Sequence, residues 1–186
     1  MPANRVIESL YIGSRTSGIE GFNESSLYKA GELGGVIHTV DEKAYQLVQL
    51  DSGATASTNS GVVAAGDLAF WKDKSQYLVT NDIAQAIGAE QASQNNKRNS
   101  VAGVFTAAVT AGYFCVVQQR GRNSAVNSDG GADFTIGDNA IAANTTASDV
   151  DRMAAGTAPT HTVVGAVAAA ESAGFTALDL QLTPIP

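Results

Sequence analysis

The apolar residues of this chain come in short β-branched or aromatic runs, each closed off by turn chemistry, with no dozen-residue stretch of helical periodicity between them. A parallel α/β sheet needs such a stretch in its crossovers, so the pattern points to antiparallel strands. Residues 36–40 form one β-branched run and residues 44–50 a second. The short polar link Asp41-Glu42-Lys43 between them marks a hairpin. Residues 68–71 and 77–80 repeat the arrangement around residues 72–75. Residues 101–106 and 113–118 are joined through Thr110-Ala111-Gly112, and short strands at 134–136 and 140–142 flank Gly137-Asp138. Strands at 163–167 and 177–182 follow. The last alternates, with Leu178, Leu180 and Leu182 on one face and Asp179 and Gln181 on the other. Pro184 and Pro186 beyond it cannot donate to a ladder and block edge growth.

Loops are read at 51–61, 93–100 and 120–131. Short helical turns are read at 82–92, capped by Asn81 or Asp82, and at 148–151. The expected fold is mainly β: a small β-barrel or sandwich-like body at 35–186, with short helical turns and an extended N-terminal arm at 1–34. One internal echo stands out. Ala65-Gly66-Asp67-Leu68-Ala69-Phe70 is matched by Ile136-Gly137-Asp138-Asn139-Ala140-Ile141. Glycine accepts φ > 0 and an Asp carboxylate accepts a backbone N–H two residues on, so each pair predicts a turn opening a strand.

The arm has two apolar groups. Val6, Ile7, Leu10 and Tyr11 have helical spacing between Asn4 and Gly13, and Phe22, Leu27 and Tyr28 surround a polar tetrapeptide. Isolated helices below about 12 residues are marginal, so these segments must dock, either on their own domain or on a neighbouring subunit. These seven residues are the candidate partner-binding set. Composition leaves room for the second choice. Ala and Gly together exceed a quarter of the chain, and each Ala buries little apolar area at about 25 cal/mol per Å². A core this thin either stands as a modestly stable Ala-rich domain or gains stability by burying surface between chains.

Charge and chemistry narrow the function. With 11 basic against 18 acidic residues and a net charge of -7, the chain has no basic stripe to track phosphates, which excludes nucleic-acid binding of that kind. One cysteine, Cys115, cannot make an intrachain disulfide. One Cys with two His, His38 and His161, cannot complete a four-ligand Cys/His zinc site. The longest apolar run, 163–170, spans 8 residues, against about 20 for a membrane helix. The start of the chain has no apolar signal segment, which implies synthesis in a cytoplasm.

No Gly-x-Ser-x-Gly elbow and no Gly-rich phosphate loop is present. A Ser-His-Asp set assembled in space stays open on sequence, but both His read as structural or exposed. Cys115 sits in an apolar run and reads as a small, unreactive hydrophobe. Trp71 reads as a core or barrel-end plug, with an interface anchor as the alternative. Arg120-Gly121-Arg122 is the tight basic pair of the chain, a solvated loop or at most a contact to an acidic partner surface.

Taken in order, several stretches resemble the capsid decoration, or cement, proteins of tailed bacteriophages. They are residues 36–50, Val63-Ala64-Ala65-Gly66-Asp67-Leu68-Ala69-Phe70-Trp71, Val101-Ala102-Gly103-Val104-Phe105 and Ala111-Gly112-Tyr113-Phe114-Cys115-Val116-Val117-Gln118. Phe134-Thr135-Ile136-Gly137-Asp138, Val163-Val164-Gly165-Ala166-Val167 and Thr176-Ala177-Leu178-Asp179-Leu180 follow. The resemblance covers roughly the body, and residues 1–34 depart from it. It implies a non-enzymatic structural protein without cofactor or metal, on the outer surface of the virion capsid. The implied partners are the major capsid protein and neighbouring copies of itself, a trimer before a dimer, with no nucleic acid and no membrane. The alternative is a carbohydrate- or cell-surface-binding β domain of a virion, and a hydrolase using His38 or His161 is a third reading.

Overall fold

Leu68-Ala69-Phe70-Trp71 is apolar at every position, which is how a strand reads when both of its faces are buried. The architecture follows from that. The computed structural model describes residues 23–24, 33–39, 41–54, 62–87, 100–128, 134–142, 148–153, 163–172 and 174–182. Its strands are β1 (Asn23–Glu24), β2 (Val36–His38), β3 (Ala44–Leu50), β4 (Val62–Val63), β5 (Leu68–Asp73), β6 (Leu78–Thr80) and β7 (Val101–Phe105). They continue with β8 (Val109–Thr110), β9 (Phe114–Asn127), β10 (Asn139–Ala142), β11 (Val150–Arg152), β12 (Val163–Ser172) and β13 (Phe175–Gln181).

Strands β9, β7, β5, β6 and β3 pair in that order, and β3 pairs back onto β9, closing a five-stranded barrel. The β3–β6 pair is parallel and the other four are antiparallel. The sheet continues past β9 through β13, β12 and β10 to β11, while β2 flanks β3, and β4 and β8 form a separate two-stranded pair.

Period-2 alternation sorts the side chains of β5 between two cores. Ala69 and Trp71 point into the barrel with Val48, Leu50, Val79, Phe105, Cys115 and Val117. Leu68 and Phe70 point outward and pack with Val126, Val150, Val164, Leu178 and Leu180 of the second sheet. Each such Leu or Phe, fully buried, is worth about 1.5–3 kcal/mol. Trp71 is therefore core, 2% exposed, edge-on to Tyr77 at 6.4 Å between ring centroids. The β13 alternation stands as expected: Leu178, Leu180 and Leu182 are buried, Asp179 and Gln181 exposed.

The barrel interior also holds two buried amides. Pairing of Ala44 with Arg120 and of Tyr45 with Gln118 leaves Gln119 as an extra residue, a β-bulge. Its Nε2 donates to Gln46 Oε1 at 2.8 Å and to the Ala102 carbonyl at 2.9 Å. Gln46 in turn donates to the Gly34 carbonyl at 3.1 Å.

Four strands open with the same turn. In each, a glycine with φ between 83° and 94° (Gly34, Gly66, Gly112 and Gly137) precedes the residue that leads into β2, β5, β9 or β10. The glycine N–H donates to a neighbouring strand, and that strand's N–H returns a bond to the residue after the glycine. The pairs are Gly34 and Gly35 with Leu47, Gly66 and Asp67 with Phe105, Gly112 and Tyr113 with Leu50, and Gly137 and Asp138 with Val167. The Gly-Asp echo in the sequence is this turn. The carboxylates bond backward rather than forward: Asp67 accepts from Ala64 N–H and Asp138 from Thr135 N–H, both at 3.0 Å.

Four expectations are corrected. The stretch 120–127, read as loop, completes the 14-residue β9; its polar composition reflects a half-exposed strand whose backbone pairs with β13. Val150 and Asp151, read in a helical turn at 148–151, belong to β11, held by antiparallel pairing to β10. Phe134-Thr135-Ile136 is the approach to the Gly137 turn and carries no strand. In place of a helix from 82, Ile83–Gln85 is a single 3-10 turn, with Gln85 N–H on the Asp82 carbonyl; residues 88–92 lie outside the described residues, as do the loop tip 129–131 and the C-terminal prolines.

Gly66 and Gly137 separate two costs. At Gly137 a Cβ meets nothing within 4 Å, whereas at Gly66 it would lie 2.6 Å from the Ala125 carbonyl oxygen. Gly137→Ala should therefore cost about 1–2 kcal/mol from the left-handed backbone alone. Gly66→Ala should add about 1–3 kcal/mol of overpacking, and urea unfolding of the pair measures the difference. Asp138 predicts a pH dependence. The Thr135 N–H and hydroxyl, with Arg152 behind them, hold its carboxyl below the usual 3.8. A depressed carboxylate stabilises the fold above the unfolded value and loses that contribution as pH falls through the native one. The stability gap between the parent and Asp138→Asn should be present at neutral pH and close in acid below 3.8.

Candidate interaction surface

β9 serves the barrel with its first half and the second sheet with its second half, and it bends where it changes allegiance. Gly121 supplies the bend at φ 80°. A side chain there would also collide with the β2–β3 turn, 2.9 Å from Lys43 Cγ and 3.2 Å from the Glu42 carbonyl oxygen. Gln118 fixes the bend from inside the same strand. Its Nε2 donates to the carbonyls of Arg120, Gly121 and Arg122 at 3.0, 3.3 and 3.1 Å, and its Oε1 accepts from Asn123 Nδ2 at 3.1 Å.

The bend brings Lys43, Arg120 and Arg122 to one end of the barrel. Lys43 lies 3.5 Å from Asp41 and Arg122 lies 3.9 Å from Asp179. Arg122 also donates to the Ala168 carbonyl at 3.2 Å. Asp41 is held below its usual value by the Thr39 hydroxyl first, then by its own backbone N–H and by Lys43. These pairs are largely solvated, and exposed pairs of this kind add little, about 0–1 kcal/mol.

A second surface lies on the outer face of the barrel. Tyr45, Leu47 and Val116 are buried there, with Ile37 and Phe114 packed against them and half-buried. By alternation these side chains point away from the barrel core that holds Val48, Cys115 and Val117. At the same place β1 pairs antiparallel with β9, Asn23 opposite Cys115 and Glu24 opposite Phe114. A segment of the expected arm thus joins the body by strand addition. Among the described residues two large aliphatics stand exposed elsewhere, Ile87 and, at the tip of the Gly137 turn, Ile136 at 74%.

The seven residues expected to bind a partner, Val6, Ile7, Leu10, Tyr11, Phe22, Leu27 and Tyr28, lie outside the described residues, as does His161. His38 is exposed at the end of β2. Cys115 is fully buried in the barrel, and burial alone pushes its thiol far above the usual range, so it stays protonated. Among the described residues no group of three or more His, Cys, Asp or Glu is close enough to hold a metal ion. Sequence reasoning found the Arg120/Arg122 pair but not Lys43 or Gln118. Only the pairing of β3 with β9 brings Lys43 beside the bend.

No family model, no curated protein and no solved structure matches the chain.

Replacing Gln118 by Ala strips one side-chain donor from three consecutive carbonyls. The variant should lose about 1–3 kcal/mol of stability, read from the urea midpoint, with amide chemical-shift changes centred on residues 120–123.

Proposed function

We propose that the protein is a structural capsid decoration protein, which binds the outside of an icosahedral bacteriophage head and bridges major capsid protein subunits to stabilise the shell. It does so beside neighbouring copies of itself, as a trimer before a dimer, on the outer surface of the virion, and it catalyses no reaction. The observation that carries the reading is the strand addition of Asn23–Glu24 to β9 beside the apolar outer face of the barrel. Backbone bonds of this kind need no particular side chains, so a segment held this way on its own barrel can be held equally by a neighbour's.

The rest of the molecule is in keeping. Of the motifs that resemble the decoration family, those at 36–50, 63–71, 101–105, 111–118 and 176–180 fall on strands that make or adjoin the barrel, 163–167 falls on β12, and 134–138 leads into the Gly137 turn. Surfaces rich in Ala, Ser, Thr and Gly lose little side-chain entropy when packed against a partner. A sugar-binding domain would present rings for stacking, and Tyr45, Phe70, Trp71, Phe105 and Phe134 are buried while Tyr77, Tyr113 and Phe114 are half-buried.

Sedimentation with purified phage shells tests this. The full chain should pellet with expanded shells and less with unexpanded ones, and retention on neither would sink the reading. A chain lacking residues 1–30 should keep its β-sheet circular dichroism and pellet more weakly. Loss of the fold in that variant would assign the arm to the chain's own core.

A further inference from the structure

The bend in β9 opens a pocket of about 320 Å³ between the β2–β3 turn, the Gly66 turn, the end of β7 and residues 122–125 of β9. Two cations, Lys43 and Arg122, line it, and no acidic residue does among those described. On a chain of net charge -7, this is a local reversal of sign. The acids nearby lie outside its lining: Asp41 on Lys43 and Asp179 3.9 Å from Arg122, both more than half exposed, Glu42, exposed in the same turn, and Asp67, buried behind Gly66 and held by Asn127 Nδ2. Phe105 and Ala65 add apolar wall. The cavity is larger than a bare anion needs and mixes polar with apolar wall, which suits a side chain with an aliphatic stem and a negative tip.

The backbone beside the pocket carries a second, independent feature. β13 pairs with one side of β9 through this stretch. On the other side the last β3 pair is Ala44 with Arg120, and the next bond is Asn127 N–H to the Gly66 carbonyl. Between them, residues 121–126 have no strand partner on that side among the described residues; the Gln118 amide caps the carbonyls of Gly121 and Arg122, and Asn123 Oδ1 takes the Ala125 N–H. A segment lying along this stretch is therefore held by its side chains rather than by a continued ladder. The geometry points to a recognition site for an acidic peptide: an extended segment of a partner protein lies along residues 121–126 and places an Asp or Glu carboxylate between Lys43 and Arg122. Arg122, exchanging its bond to the Ala168 carbonyl and its 3.9 Å contact with Asp179 for the ligand, supplies the fork that binds a carboxylate, and Lys43, beside Asp41, supplies a point charge. The Gln118 amide presets the site by holding the bend before any ligand arrives. This holds whatever assembly the protein joins.

The test uses the full, isotope-labelled chain and a blocked pentapeptide with a central Glu between Val residues. At low ionic strength the peptide should shift the amides of residues 66, 106 and 121–125 saturably. Its Gln counterpart, and the Glu peptide with Arg122→Gln or Lys43→Gln protein, should bind about tenfold more weakly or less. Lys74→Gln, in the β5–β6 turn, should bind as the parent does and controls for net charge. Equal shifts with the Gln peptide, shifts scattered over the surface, or indifference to both pocket substitutions would overturn the proposal. Inorganic phosphate that displaces the peptide at matching concentration would overturn it in favour of a plain anion site.

Discussion

One strand has to belong to two sheets. The first half of β9 closes the barrel against β3 and β7, and its second half carries the outer sheet through β13. A regular strand cannot do both, because its two halves must aim their hydrogen bonds at neighbours that diverge. The extra residue at Gln119 and the left-handed Gly121 absorb the mismatch within a few residues. The Gln118 side chain then satisfies the carbonyls that the bend turns away from any ladder. Both cores depend on this, since Val117 of β9 fills the barrel and Val126 fills the space outside it.

The same economy governs charge. Lys72 bonds Asp51 at 2.6 Å and so ties β5 to the end of β3, where Asp51 is nearly buried. Asp67 is buried behind Gly66 and is met by the Ala64 N–H and by Asn127 Nδ2 at 2.6 Å. Carboxylates are placed where backbone N–H groups or a cation receive them. Cations at the β9 bend, by contrast, have exposed acids beside them, and Arg122 also bonds the Ala168 carbonyl.

The chain declared its barrel openly and its second sheet poorly, for a physical reason. Strands buried on both faces, such as β5 and β7, are continuous apolar runs, and β13 shows strict alternation; both patterns survive in sequence. Residues 120–127 hide because six of the eight are polar or Gly, and their strand conformation is enforced by β13, 48 to 61 residues further along the chain. Val150–Arg152 hides likewise behind Ser and Asp, which favour turns in isolation. The bend site was half legible: the Arg pair stands out in an acidic sequence, while Lys43 reaches it through strand pairing that no local pattern encodes. Partner-binding residues placed in the arm remain a reading of spacing, while the structure contributes Asn23–Glu24 on β9.

The amide pair inside the barrel has a consequence for how the closure forms. Gln46 and Gln119 meet only in the register that bulges β9 at Gln119 against β3. A slip of β3 by a single residue would swing Gln46 out of the barrel, leave Gln119 inside without it, and bring Tyr45 and Leu47 inward, exchanging a matched polar contact for a steric clash. Misaligned closures are therefore penalised twice, by an orphaned amide and by bulk. Two glutamines in an otherwise oily interior act as a key that admits one alignment of the last seam.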